Sequence, residues 1–166
     1  MSLATDLLEQ ARALVALDAR KPKQASLRRA VSVAYYSLFH LLCTDASGRL
    51  ARGGANELKA AVFRAFDHRA MKKAASRFMN ERPAQELQAI ITTVPPELRD
   101  VAIAFHSLHQ ARAEADYNIG RAFSRGEVID LVDQAERAFI AWAEVKNASE
   151  AQVFLIDCAS LIRARN

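Results

Sequence analysis

The stretch Val101-Ala102-Ile103-Ala104-Phe105-His106-Ser107-Leu108-His109-Gln110-Ala111-Arg112-Ala113-Glu114-Ala115-Asp116-Tyr117 decides the fold class. Val101, Phe105, Leu108, Arg112, Ala115 and Ile119 follow one another at steps of four, three, four, three and four, the spacing of one face of an α-helix. Arg112 therefore falls in register with a buried stripe, where an arginine needs a partner. Asp116 stands one turn later, within reach of an i,i+4 ion pair, and His109 stands about one turn earlier on the adjoining row. A partly dehydrated guanidinium held by a carboxylate can fix helix positions, and it can equally grip phosphate.

Outward from this helix the same period recurs, and sustained period-two alternation is missing. A first helix is expected from about Leu3 to Arg20, with Leu7, Leu14 and Leu17 on its apolar face, stopped by Lys21-Pro22. A second begins near Ser26 as N-cap and runs to about Ala46, apolar over most of its circumference. Ser47-Gly48 and Gly53-Gly54 read as a flexible connection. Asn56 then caps a third helix carrying Val62, Phe63, Phe66, Met71 and Phe78. Arg82-Pro83 and Pro95-Pro96 bracket a short helical piece around Gln85 to Ile91, and Pro96 opens the helix that contains Arg112. Ser124-Arg125-Gly126-Glu127 matches a capping box before a helix bearing Val128, Leu131, Val132, Ala135, Phe139 and Trp142. Ser149 to Gln152 repeats the device before a last helix with Leu155, Ile156, Leu161 and Ile162. Short connections between long amphipathic helices predict an all-α, up-and-down antiparallel bundle of five to six helices.

A chain of 166 residues with 51% apolar content can bury one core without metal or disulfide help, so residues 1–166 read as a single domain. Cys43 and Cys158 sit inside apolar helical patterns and read as small hydrophobes. With no apolar run of about 20 residues and no basic-then-apolar leader, no membrane is expected and the expected compartment is the cytoplasm. Charge is polarised along the chain. Arg49 to Arg82 carries nine Lys and Arg against three acids, a net of +6, whereas Glu127 to Asp157 carries seven acids against two bases, a net of −5. That asymmetry suits attraction of a polyanion or the meeting of opposite faces of two subunits, and ordinary solvated helix surfaces would look the same. Arg69, Lys73 and Arg77 recur every four residues beside Lys72 and form a candidate phosphate-binding ridge. The ridge has little aromatic interleaving, which argues against base stacking. No Gly-rich phosphate loop, Ser-His-Asp arrangement or zinc spacing is present, so no cofactor or metal is expected.

Arg112-Ala113-Glu114-Ala115-Asp116-Tyr117 resembles the R-x-x-A-D-Y signature of the HEPN (higher eukaryotes and prokaryotes nucleotide-binding) family. The segment Ser26 to His40, with Arg28-Arg29, Tyr35-Tyr36 and Phe39-His40, is similar to that family's early helix, and Phe123-Ser124-Arg125 fits the start of its next one. The likeness leaves out about residues 49–95, which read as an atypical basic helical insertion. The resemblance implies a helical bundle that forms a homodimer, with a nucleotidyltransferase-type protein as partner in many relatives. It also implies nucleotide or RNA as ligand, and in several branches metal-independent ribonuclease activity within toxin–antitoxin or defence systems. Its implied site residues here are Arg112, Asp116, Tyr117, His109, Tyr36, His40 and Arg29. Those ribonucleases carry an arginine, four to six residues, then a histidine. Arg112 is followed by Asp116 and Tyr117 instead, and the bare spacing is met by Arg99 and His106. Such a pair could move a proton at a 2′-hydroxyl and stabilise a crowded phosphate.

Three readings follow. The leading one is a HEPN-like nucleotide- or RNA-binding accessory module without chemistry of its own, within a toxin–antitoxin or defence pair. The second is a metal-independent endoribonuclease using Arg99 and His106. The third is a structural protein-interaction module.

Overall fold

The computed structural model describes residues 2–18 and 20–160, and among these it contains helices, turns and no strand. Seven α-helices follow in order: α1 (Leu3–Ala16), α2 (Gln24–Leu50), α3 (Asn56–Ala65), α4 (His68–Arg77), α5 (Pro96–Tyr117), α6 (Arg125–Val145) and α7 (Ser149–Cys158). The all-α bundle expected from the periodicity is what forms, with one more helix than expected.

α2 is the central rod, with 14 of its 27 residues buried. It packs against α1, α3, α5 and α6. Leu27, Leu38 and Leu42 are fully enclosed, each stabilising the fold by about 1.5–3 kcal/mol relative to exposure. Side-chain contacts fix the relative directions. Ser32, Tyr36 and Tyr35 of α2 meet Asp116, Arg112 and His109 of α5, so residue numbers rise along one helix as they fall along the other. Gln24 meets Phe123 at the start of α6 and Asp45 meets Trp142 near its end, so α2 and α6 run together. Arg125 donates to the Asp18 carbonyl while Arg12 pairs with Asp133, so α1 runs against α6. These four helices are the up-and-down bundle. α4 lies along α5 and α7.

Termini are secured by neighbours more than by local caps. The start of α2 has no capping bond from Lys23; the Asp18 carboxylate accepts from the Lys23 amide (3.3 Å) and from Ser26 Oγ (2.8 Å). Gln24 clamps Phe123 through both its amide groups, donating to the carbonyl (2.8 Å) and accepting from the N–H (2.9 Å). A helix leaves its last carbonyls unpaired, and α5 has no basic residue in its last turn. Arg28 supplies the charge from α2, donating to the carbonyls of Ala115 (2.8 Å), Asn118 (2.9 Å), Ile119 (3.2 Å) and Arg121.

Several expectations are corrected. The first helix ends at Ala16, and its buried stripe is Ala4, Leu8, Ala11 and Val15; Leu17 is exposed, while Leu7 and Leu14 flank the core. Ser47-Gly48 lies inside α2, because Ser47 Oγ donates to the Lys59 carbonyl (2.9 Å) and ties the extra turn to α3. The chain reverses at Gly53, whose φ of 74° suits glycine. The expected third helix is two helices. Phe66 turns extended and buries its ring, and the Asp67 carboxylate accepts from the amides of Arg69 and Ala70 (both 2.9 Å) to start α4 anew. Asn56 is the first residue of α3 rather than its cap. The piece around Gln85 is a single 3₁₀ turn. Ser124 caps α6 by accepting from the Glu127 amide (3.2 Å), but the Glu127 carboxylate pairs with Arg121 instead of closing the box. Ser149 does not cap α7; Ala148 holds that position and the Ser149 hydroxyl meets Glu150. α5 stops at Tyr117, leaving Ile119 95% exposed instead of in the buried stripe. Leu161 and Ile162 lie outside the described residues.

Candidate functional site

Where α2 crosses α5, Arg112 is held from three directions. Its Nε lies 2.8 Å from Asp116 Oδ2, off the line of the N–H bond, so this contact is Coulombic more than a straight hydrogen bond. Its Nη2 donates to the Tyr36 hydroxyl at 3.0 Å. Its Cζ sits 5.6 Å from the Tyr35 ring centre and 5.3 Å from that of Tyr36, within range of cation–π attraction. Ser32 Oγ donates to Asp116 Oδ1 at 2.5 Å, which fixes the carboxylate in turn. The Arg112 side chain is 15% exposed and that of Asp116 29%, so the pair sits at the rim of the core. A guanidinium carries five N–H groups, and the contacts above leave both on Nη1 and one on Nη2 uncommitted.

Two imidazoles, those of His68 and His109, feel the Arg112 charge. Burial lowers the pKa of all four histidines: His40, His68, His106 and His109. His109 falls furthest, to about 4, because burial is reinforced by the positive charges of Lys72 and Arg112. Its Nδ1 is enclosed and without a hydrogen-bond partner among the described residues, and its ring meets Tyr35 edge-on at 5.6 Å. Tyr35 is fully buried, and its hydroxyl lies 2.6 Å from Nδ1 of His68. Burial holds the phenol's pKa well above its ordinary value, so the hydroxyl keeps its proton. Donation to Nδ1 satisfies both groups, whereas the reverse would strand the phenol's proton in the core; this places the His68 proton on Nε2. His68 also packs on Phe39 at 4.6 Å, and His40 stacks on Phe63 at 5.7 Å.

The residues singled out from sequence divide clearly. Arg112, Asp116, Tyr36 and His109 come together, with His40 on the flank beside Phe39. Tyr117 is 76% exposed and belongs to the outer end of α5. Arg29 is exposed, and its neighbour Arg28 is the one that reaches α5. Arg99 is half-buried, its Nε without a hydrogen-bond partner among the described residues; His106 stands two turns on, roughly 10 Å along the axis. The charge that acts on His106 is Lys72, not Arg99. In the basic ridge, Arg69 and Lys73 are exposed, and the positive charge of Lys72 helps lower the pKa of His106 and His109. Arg77 is committed elsewhere, donating to Asp157 of α7 at 2.8 Å in a pair whose carboxylate is only 3% exposed. Sequence reading missed Tyr35's role and His68 altogether. The only local sign of His68 is Asp67 before it, a helix-capping residue that sets the imidazole at the first position of α4.

Among the described residues no group of His, Cys, Asp or Glu is placed to hold a metal ion, and no helix is long and apolar enough to cross a membrane. No family model, curated protein or solved structure matches this chain.

Proposed function

We propose that this chain is a HEPN-like module that binds RNA, or a nucleotide portion of it, on the face built by α2, α4 and α5, and that it acts by binding rather than cleavage. The observation that carries the reading is Arg112, oriented by Asp116 and Tyr36 with part of its fork uncommitted. A pre-oriented fork matches the geometry of a phosphate, and its side-chain entropy is already lost before ligand arrives. Lys72, Arg69 and Lys73 extend the positive charge along α4. The neutral imidazoles add hydrogen-bonding capacity without opposing an anion, and a histidine titrating near 4 is a poor general base or acid at neutral pH. Pairing of two copies, and a nucleotidyltransferase-type partner in a toxin–antitoxin or defence setting, belong to the same proposal.

Fluorescence-anisotropy titration of labelled single-stranded and hairpin RNA over a salt series tests it. Saturable binding is expected, weakening as salt rises. Arg69→Ala and Lys73→Ala should each lower the slope of log K against log salt by about 0.7–0.9 if that residue meets a phosphate. Absence of salt-dependent binding to either RNA removes the reading.

One observation favours a ribonuclease: burial, and after it the positive charge of Lys72, lower the His106 pKa, so an imidazole favoured in its neutral form lies within the field of a cation. Incubation with structured RNA in EDTA separates the two readings. Intact RNA is expected; cleavage abolished by His106→Ala would establish the enzyme instead.

A further inference from the structure

We infer that a cavity toward the opposite end of α2 binds a small organic phosphate of nucleotide size. The cavity has a volume of about 850 Å³ and lies between the last turns of α2 and α6 and the starts of α1 and α7. That volume falls within the roughly 300–1,000 Å³ of ordinary small-molecule sites. Arg112 is not among its lining residues. Arg49 lies thirteen positions beyond Tyr36 on α2, which puts the two regions about 20 Å apart along the helix axis.

The lining mixes charge and apolar surface. It includes Arg49, Arg52 and Lys146, with Asp45 as the single acid, so it carries a formal charge of about +2. Asp45 orients rather than cancels this charge. It accepts from Arg49 Nε at 2.9 Å and from the Trp142 indole N–H at 3.2 Å, while Arg49 Nη2 also reaches Asn147 Oδ1 at 3.4 Å. The fork of Arg49 is thereby fixed, with both protons of Nη1 uncommitted. Arg52 and Lys146 have no acidic partner among the described residues. Leu41, Phe139 and Ala143 add apolar surface to the same lining. Three cations against one acid suit a dianion, and apolar lining suits a flat or hydrocarbon body; a phosphate monoester of a nucleoside has both features.

Trp142 is the only tryptophan, and its indole touches the carboxylate that holds Arg49, so the protein carries its own reporter. The full chain is titrated with adenosine monophosphate, adenosine, inorganic phosphate and citrate, followed by calorimetry and by Trp142 fluorescence. Saturable binding of adenosine monophosphate is expected, with adenosine at least about tenfold weaker. The double variant Arg52→Ala/Lys146→Ala alters only side chains outside the core, and it should weaken adenosine monophosphate at least about tenfold with the circular dichroism spectrum unchanged. Arg112→Ala should leave this binding as it was, which separates the site from the RNA face. The inference is overturned by the absence of saturable heat and fluorescence change with both phosphates, by affinity unchanged in the double variant, by loss of binding in Arg112→Ala alone, or by citrate binding more tightly than adenosine monophosphate.

Discussion

Two arginine–carboxylate pairs sit on neighbouring seams of the bundle and do different work. Arg77 and Asp157 join α4 to α7, with side chains 13% and 3% exposed, and one oxygen of Asp157 has no hydrogen-bond partner among the described residues. Burial raises the Asp157 pKa more than Arg77 lowers it, so desolvation outweighs the attraction. Such a pair joins one helix to another through an acid that is almost wholly enclosed. Arg112 and Asp116 belong to the same helix, one turn apart, and lie nearer the surface. There the carboxylate holds the arginine's angle while the fork stays partly open. The two arginine side chains are almost equally covered, so the difference between the pairs lies in the acid: one is drawn from another helix and enclosed, the other comes from the same helix and reaches the rim.

The comparison can be broken at either seam. Asp157→Ala should have the largest effect on stability, about 3 kcal/mol in urea denaturation, because it leaves a largely buried guanidinium unpaired. Joint replacement, Arg77→Met with Asp157→Leu, should recover most of that loss; failure to recover it would mean that the pair stabilises the seam outright. Arg112→Ala should lower stability by about 1–2 kcal/mol, within the range for a partly buried charged hydrogen bond, and reduce RNA affinity at least about tenfold. Equal loss of RNA binding in Asp157→Ala at a temperature where it stays folded would erase the proposed division. Asp67→Ala removes the cap of α4 and should cost about 1 kcal/mol, loosening His68 and Lys72 with it.

The smallest effect is on pH dependence. The folded-state pKa of His109 is about 4, below the unfolded value of about 6.5, so the unfolded chain binds the extra proton first. Its contribution to stability is present above pH 6.5 and is lost as pH falls from about 6.5 toward 4. His109 is partly solvated, so screening should hold the change below about 1 kcal/mol. Melting temperatures across this window should fall less in His109→Gln than in the parent chain.

Much of the fold could be read from the residues because it depends on local periodicity. Steps of three and four marked the long helices, Pro96 marked the start of α5, and the i,i+4 spacing of Arg112 and Asp116 predicted their ion pair. The boundaries were less legible. Asp67, a residue able to cap a helix, stood in an otherwise continuous apolar pattern, and its effect depended on Phe66 finding room in the core. The ridge Arg69, Lys73, Arg77 shares one helix face, yet Arg77 left it for Asp157, a residue eighty positions away.

Sequence alone determined the helical class, the buried register of α5 and the pairing within one turn, since each of these is set by neighbours along the chain. Tertiary structure alone decided that Tyr36 and Ser32 complete the Arg112 site, that His68 enters it from α4, and that Arg49, Arg52 and Lys146 share a cavity with Trp142. Those contacts join side chains from different helices, and their partners are chosen by how the helices pack, which no spacing within a single helix encodes.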